Sequence, residues 1–250
     1  MSETVDDITI CISTFIRDDL LFRCVDSIRQ VHPTIPIIVT DDGRHDISKT
    51  ERLEQVGVNY IPMSFDSGLS AKRNVMIDAA STPYVALMDD DMIMTEDVKL
   101  YKLRSLMDVA DLAAGRLYYP SKGRYRDHLA NMVFQPRELL LRPTPLKWQM
   151  HNKVKYCVTH RTLNCFVAKR EVLRAVRWDE RLKITYEHLD FFIRLRLAGV
   201  PVVYSPDSVF SEQKERNPEY RSYRLRTAEH RKIFFNKWGF SQVTKHPSVK

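Results

Sequence analysis

Three consecutive carboxylates, Asp89, Asp90 and Asp91, follow the apolar run Tyr84-Val85-Ala86-Leu87-Met88. An apolar run bounded by Pro83 and a charge cluster reads as a buried strand, and strands of open α/β sheets end at a ligand crevice. Adjacent carboxylates repel one another unless a cation sits among them. Hard divalent ions such as Mg²⁺ or Mn²⁺ take oxygen ligands, commonly one or two carboxylates plus substrate phosphates, so a metal–diphosphate is the simplest occupant. Position alone leaves open an alternative, a solvated acidic turn before a helix whose amino end Glu96 and Asp97 favour.

The elements that would position these acids alternate from residue 8 onward. Residues 8–12 read as a strand, and residues 18–30 carry Leu21, Cys24, Val25 and Ile28 at helical spacing. Pro33 and Pro36 precede a strand over 37–39 that ends at Asp41-Asp42-Gly43. A helix over 48–55, a strand over 58–61, a loop closing at Gly68 and a helix over 70–80 lead to the strand that delivers the aspartates. Such β-α-β alternation predicts a mostly parallel sheet flanked by helices. Thr14, Asp41 or Asp42, Lys72 or Arg73, and the aspartates would then converge on one crevice. A uracil and ribose supply donors for Asp41 or Asp42, and a diphosphate supplies oxygens for the metal and the basic residues. That is the inventory of a nucleotide-sugar site.

The 250 residues suit one large domain. No apolar stretch approaches a membrane span, and the acidic start at residues 1–7 is unlike a signal peptide. Cys11, Cys24, Cys157 and Cys165 lack metal-ligand spacing, so reduced thiols and a cytoplasmic setting are expected, with peripheral membrane attachment as an option. The net charge of +7 is segregated: −9 over residues 1–115, +10 over 116–211 and +6 over 212–250. Those spans read as a nucleotide-binding half, an acceptor and catalytic half, and a basic carboxyl-terminal helix and tail. Acid facing base would hold an anionic ligand between them, and a basic exterior favours anionic lipid. Nucleic acid is not expected, because no helix-turn-helix, RNP or zinc-finger pattern occurs and the early half is acidic.

Residues 120–155 show no sustained period and read as an acceptor-side loop or lid. A strand over 163–168, a short helix around Val172, a helix that Thr185 can cap and that runs through Leu197, and a strand over 202–204 follow. Residues 219–238 place Tyr220, Tyr223, Thr227, His230, Phe234 and Trp238 near one helical face. That helix either packs on the core or lies on a membrane.

In ordered sequence the chain resembles the GT-A glycosyltransferases, especially the family 2-like inverting enzymes and the β-1,4-N-acetylgalactosaminyltransferases of the ganglioside-synthase type. The resemblance rests on Phe15-Ile16-Arg17, Val39-Thr40-Asp41-Asp42, Gly68-Leu69-Ser70-Ala71-Lys72-Arg73-Asn74, Tyr84 to Asp91, Asn164-Cys165-Phe166, Glu187 to Phe192 and His230 to Phe235. It implies an α/β GT-A fold and metal-dependent, inverting transfer of N-acetylgalactosamine or a related hexose. The donor would be a UDP-sugar, the acceptor a glycan or lipid-linked hydroxyl, and the cofactor Mn²⁺ or Mg²⁺.

By the same resemblance Thr14, Arg17, Asp41, Asp42, Lys72, Arg73, Asp89 and Asp90 would surround the donor, and Asp91, with Asp89, would hold the metal. Arg73 either binds phosphate or makes a structural ion pair. Where relatives carry a late histidine ligand this chain has Glu212, and His230 is the alternative. The general base is expected at Asp190 first, Glu187 second and His188 third, since Glu187 and Asp190 share a helix face. Rival readings are a sugar-1-phosphate nucleotidyltransferase, disfavoured because Ser13-Thr14-Phe15-Ile16-Arg17 lacks glycine, and a glycan-binding module without turnover.

Overall fold

The computed structural model describes residues 5–213 and 217–249, so residues 1–4 of the polar start lie outside the described residues. The first half runs β1 (Ile8–Thr14), α1 (Asp18–Val31), β2 (Ile37–Asp41), α2 (Ile47–Gln55), β3 (Val58–Pro62), α3 (Leu69–Ala79), β4 (Tyr84–Asp89) and β5 (Met92–Ile93). Next come α4 (Leu100–Ser105), β6 (Leu112–Tyr119), β7 (Arg124–Arg126), β8 (Asn131–Gln135), β9 (Glu138–Arg142), β10 (Gln149–His151) and β11 (Val154–Val158). The chain closes with β12 (Phe166–Lys169), α5 (Arg170–Val176), α6 (Glu187–Leu197), β13 (Val202–Glu212), α7 (Pro218–Arg224), α8 (Ala228–Trp238) and β14 (Gln242–Lys245).

The main sheet has the order β10-β11-β13-β6-β12-β4-β1-β2-β3. Strand β1 pairs in parallel with both β2 and β4, setting Thr14 beside Asp41 and Ser13 beside Asp89. This register brings the polar strand ends to one edge of the sheet. Successive strand residues feed opposite layers: Ile10 and Ile12 pack with Leu21, Val25 and Ile28 of α1, whereas Cys11 packs with Met76 and Ile77 of α3. Apolar residues on both faces are what a strand covered on two sides requires. The four cysteines are free and buried.

Residues 120–155 are not a loop. They form β7 to β11, and β8 and β9 join β14 in a second, three-stranded sheet. These strands are three to five residues long, too short to show a period, and beyond Gly123 before β7 the positive-φ positions between them are held by non-glycine residues. Between β10 and β11, Asn152 and Lys153 both take positive φ (50° and 65°), the two-residue hairpin turn whose twist suits the flanking strands.

The helix expected over 219–238 is interrupted between α7 and α8, where Arg226 leaves the helix to pair with Asp66. On α8 the aromatic face packs inward, with Phe234 buried and Ile233, Phe235 and Trp238 against the core. Among the described residues no helix is long and apolar enough to cross a membrane.

Candidate active site

A cavity of about 210 Å³ opens where the carboxyl ends of β1, β2 and β4 meet α3, the start of α6 and α7. Asp42, Asp89, Asp91, Arg17, Lys72 and Arg73 line it from the first half, and Asn164, Lys183, Glu187, Tyr220 and Tyr223 line it from the second. Three non-glycine residues in the left-handed region border it: Ile16 (φ 46°), just before Arg17, Asp66 (φ 59°), on its wall, and Tyr186 (φ 65°), just before Glu187. Such backbone persists only when its surroundings enforce it. Tyr186 is held by Phe234, its ring centroid 4.8 Å away.

Each acidic strand end divides its carboxylates between two duties. Asp41 is fully buried and faces away from the cavity: its Oδ1 accepts from the Gly43 amide (2.7 Å) and its Oδ2 from Lys49 Nζ (2.6 Å) and the Tyr60 hydroxyl (2.9 Å). Asp42 faces the cavity, where its Oδ2 accepts from the Gly68 amide (2.6 Å) and its Oδ1 pairs with Lys72 Nζ (2.5 Å). Lys72 also donates to the Thr14 carbonyl (2.7 Å), and burial lowers its pKa against the pull of Asp42.

The triple aspartate behaves likewise. Asp90 is fully buried and takes the Thr14 hydroxyl (2.6 Å) and Arg17 Nε (3.2 Å), with Arg17 Nη2 on its other oxygen. Thr14 and Asp90, expected with Asp41 around the donor, do not line the cavity: the side-chain polar atoms of all three hold neighbouring residues. Asp89 and Asp91 line the cavity. Arg17 Nη1 lies 3.1 Å from Asp91 Oδ2 and the guanidinium rests 4.1 Å over the Tyr220 ring. Burial, with the neighbouring Asp90 and Asp89 charges, pushes the Asp91 carboxyl up to about 8 even against Arg17.

Arg73 has no exposed surface, yet lines the cavity. Its Nη2 is 3.5 Å from Asp89 and its Nη1 3.9 Å from Glu187 Oε1, and its Nε and Nη1 make no hydrogen bond among the described residues. A buried cation with spare donors beside a cavity calls for an anion.

Of the three residues expected as base, one lines the cavity. Glu187 opens α6 and faces Arg73; burial raises its pKa and the Arg73 charge opposes that rise. Asp190 is fully buried and turns to α8, accepting from Trp238 Nε1 (2.8 Å) and pairing with Lys237 Nζ (2.7 Å). Three helical positions turn by about 300°, so the two side chains sit about 60° apart, enough to face different neighbours. His188 is held at both ring nitrogens, Nδ1 by Asn164 Oδ1 and Nε2 by the Thr162 carbonyl (2.6 Å each), and burial drives its pKa well below the ordinary value. The shared-face argument thus puts one carboxylate, not two, in reach of a ligand. Helix α6 starts without the expected Thr185 cap, since Tyr186 holds that place.

Among the metal candidates, Glu212 stands opposite Met92 in the β13–β5 pairing, and its charge is felt by Asp91. His230 lies elsewhere: on α8 it lines a neighbouring cavity and its Nδ1 faces the Arg181 carbonyl (3.2 Å). Sequence reasoning missed Lys183, Asn164 as a wall residue, and α7 as a roof. The spacing of Tyr220 and Tyr223 was the available signal for that roof.

Solved proteins share this architecture. TarS of Staphylococcus aureus (residues 1–349) superposes with a TM-score of 0.60 at 12% identity, covering 92% of this chain and 72% of that one. The mannosyltransferase PcManGT from Pyrobaculum calidifontis, solved with GDP-Man and Mn²⁺, gives 0.62 at 14% identity over 93% and 64% of the two chains. The fold is that of the GT-A glycosyltransferases. Residues 9–177 match the family described as glycosyl transferase family 2, and the chain belongs to it. The β-1,4 N-acetylgalactosaminyltransferase 1 of Rattus norvegicus is 30% identical over 192 residues, 74% of this chain and 35% of that relative. Glycosyltransferase GlyA of Streptococcus pneumoniae is 31% identical over 132 residues, 50% and 19% of the two. The chain therefore spans about a third or less of the length of these two relatives.

Proposed function

We propose that the chain moves N-acetylgalactosamine or a related hexose from a UDP donor to a hydroxyl of a glycan or lipid-linked acceptor, with inversion and with Mn²⁺ or Mg²⁺. The observation that carries this reading is a single cavity holding Asp42, Lys72, Arg73, Asp89, Asp91 and Glu187. Likeness to N-acetylgalactosaminyltransferases supports the sugar.

Asp91 and Asp89 fit a hard cation: both are oxygen donors on the cavity wall, and burial beside Asp90 and Asp89 raises the Asp91 carboxyl, a cost that a bound cation would offset. Among the described residues no three His, Cys, Asp or Glu side chains form a closed cage. Two carboxylates completed by donor phosphates are the usual arrangement for Mg²⁺. A bound cation would supply charge stabilisation for the departing diphosphate. Asp42 would orient the uridine, and Arg73 would meet the diphosphate with its unused donors.

Glu187 would take the proton of the acceptor hydroxyl, because it is the carboxylate on the second-half wall. Its raised pKa makes it a stronger base while the Arg73 charge keeps it from excessive rise. In Glu187→Gln we expect kcat with a UDP-sugar to fall by roughly 10²–10⁴-fold while UDP affinity with Mn²⁺ is retained. The measurements are UDP release and calorimetry. Turnover near wild type in that variant would remove Glu187 from the reaction, and failure of wild type to bind UDP with either metal would remove the donor assignment.

A further inference from the structure

Strand β10 is the last strand of the main sheet on the side away from β3. The chain leading into it leaves large apolar groups in water: Leu146 is 53% exposed, Trp148 39% and Met150 64%. Trp148 and Met150 are two residues apart, and Met150 stands opposite Lys155 on β11. The Lys155 ammonium lies 4.4 Å from the Trp148 ring centroid. This patch lies outside the cavity that holds the donor residues.

Along the chain its charge is one-sided, and the acids that reach it from elsewhere are Asp108, paired with His151 (3.1 Å), and Asp207, which accepts from the Lys155 amide (2.9 Å). Between Glu138 and Glu171 there is no acidic residue, whereas Arg142, Lys147, Lys153, Lys155, Arg161, Lys169 and Arg170 are basic. Lysines beside an edge strand can discourage edge-to-edge pairing, but they give no reason for Leu146, Trp148 and Met150 to project near them. A polyanion would find use for the lysines and none for the aliphatic groups. A second copy of the same patch would bring like charges together.

We propose that this patch docks the protein on an anionic lipid surface. Leu146, Trp148 and Met150 enter the headgroup boundary, where tryptophan's apolar ring and polar N–H both find partners. Lys147, Lys153 and Lys155 face the lipid phosphates. The basic aromatic helix at Arg231 to Trp238, the other candidate for such contact, has turned Phe234 and its neighbours into the core. The proposal stands apart from the transfer reaction and does not rest on it.

The test is flotation of the full chain with vesicles of phosphatidylcholine, alone or mixed with phosphatidylglycerol. Binding is expected only to the mixture, weakening as salt rises. Joint Trp148→Ser and Met150→Ser substitution is expected to weaken it by roughly tenfold, and each of Lys147→Gln and Lys153→Gln by about fivefold. Unchanged melting temperatures would show that the fold persists. Absence of binding to the mixed vesicles, or binding that these substitutions leave intact, would overturn the proposal. Heparin retention without vesicle binding would overturn it too, and assign the patch to a polyanion.

Discussion

Asp90 and Asp91 are adjacent, yet replacing them should have opposite consequences. In Asp90→Ala, the fully buried carboxylate that accepts from the Thr14 hydroxyl and pairs with Arg17 is lost. The Arg17 side chain, 9% exposed, would keep only its 3.1 Å contact to Asp91 among the acids of the triplet. Breaking a buried, hydrogen-bonded ion pair by removing one partner costs about 3–5 kcal/mol. In Asp91→Ala, Arg17 keeps Asp90, and a carboxyl that is costly to ionise where it stands disappears. The expected change in stability is about 1 kcal/mol or less, while Mn²⁺-dependent UDP binding is lost. Urea unfolding with a chelator present, which removes any stabilisation by bound metal, followed by calorimetry with UDP and Mn²⁺, reads both effects. Equal loss of stability in the two variants would refute this division of duties.

Gly68 has φ +97°, and a Cβ there would lie 2.5 Å from Lys183 Cβ and 2.8 Å from Lys183 Cα. Gly68→Ala should therefore cost about 2–4 kcal/mol from backbone strain and overpacking, read as a lower urea midpoint. Its loss should extend to donor binding, because the Gly68 amide holds Asp42. The pH dependence of stability should carry a contribution from His188, whose buried ring resists protonation and so has a folded pKa well below 6.5. The unfolded chain binds the proton first, so this contribution is fully present above about pH 6.5 and falls by about 1.4 kcal/mol per pH unit below it. The slope difference between wild type and His188→Gln in unfolding free energy from pH 7.5 to 5.5 measures it.

The first half was legible because its strands are buried on both faces and its helices long enough to show a period. Ile8 to Ile12, Ile37 to Val39 and Tyr84 to Met88 read directly, and the acids at their ends followed. What stayed hidden was direction. Adjacent aspartates look alike in sequence, and only Lys49 and Tyr60 behind Asp41, or Thr14 behind Asp90, decide which one faces a ligand. The direction Asp190 takes was hidden for a related reason: its partners Lys237 and Trp238 lie 47 and 48 residues further on. Strands β10 and β11 escaped notice because Lys153 holds a positive-φ turn position where glycine would have announced a hairpin.

Asp41 closes β2 and Asp89 closes β4, and as the chain leaves each strand its acids alternate between holding neighbours and lining the cavity. A strand that ends in consecutive acids anchors itself with one and displays the next. Shape and charge of the recess are thus settled when the sheet closes, before any guest arrives. Ordering these groups adds nothing to the cost of binding, and a rear-row substitution far from any guest would blunt affinity by letting the front row wander.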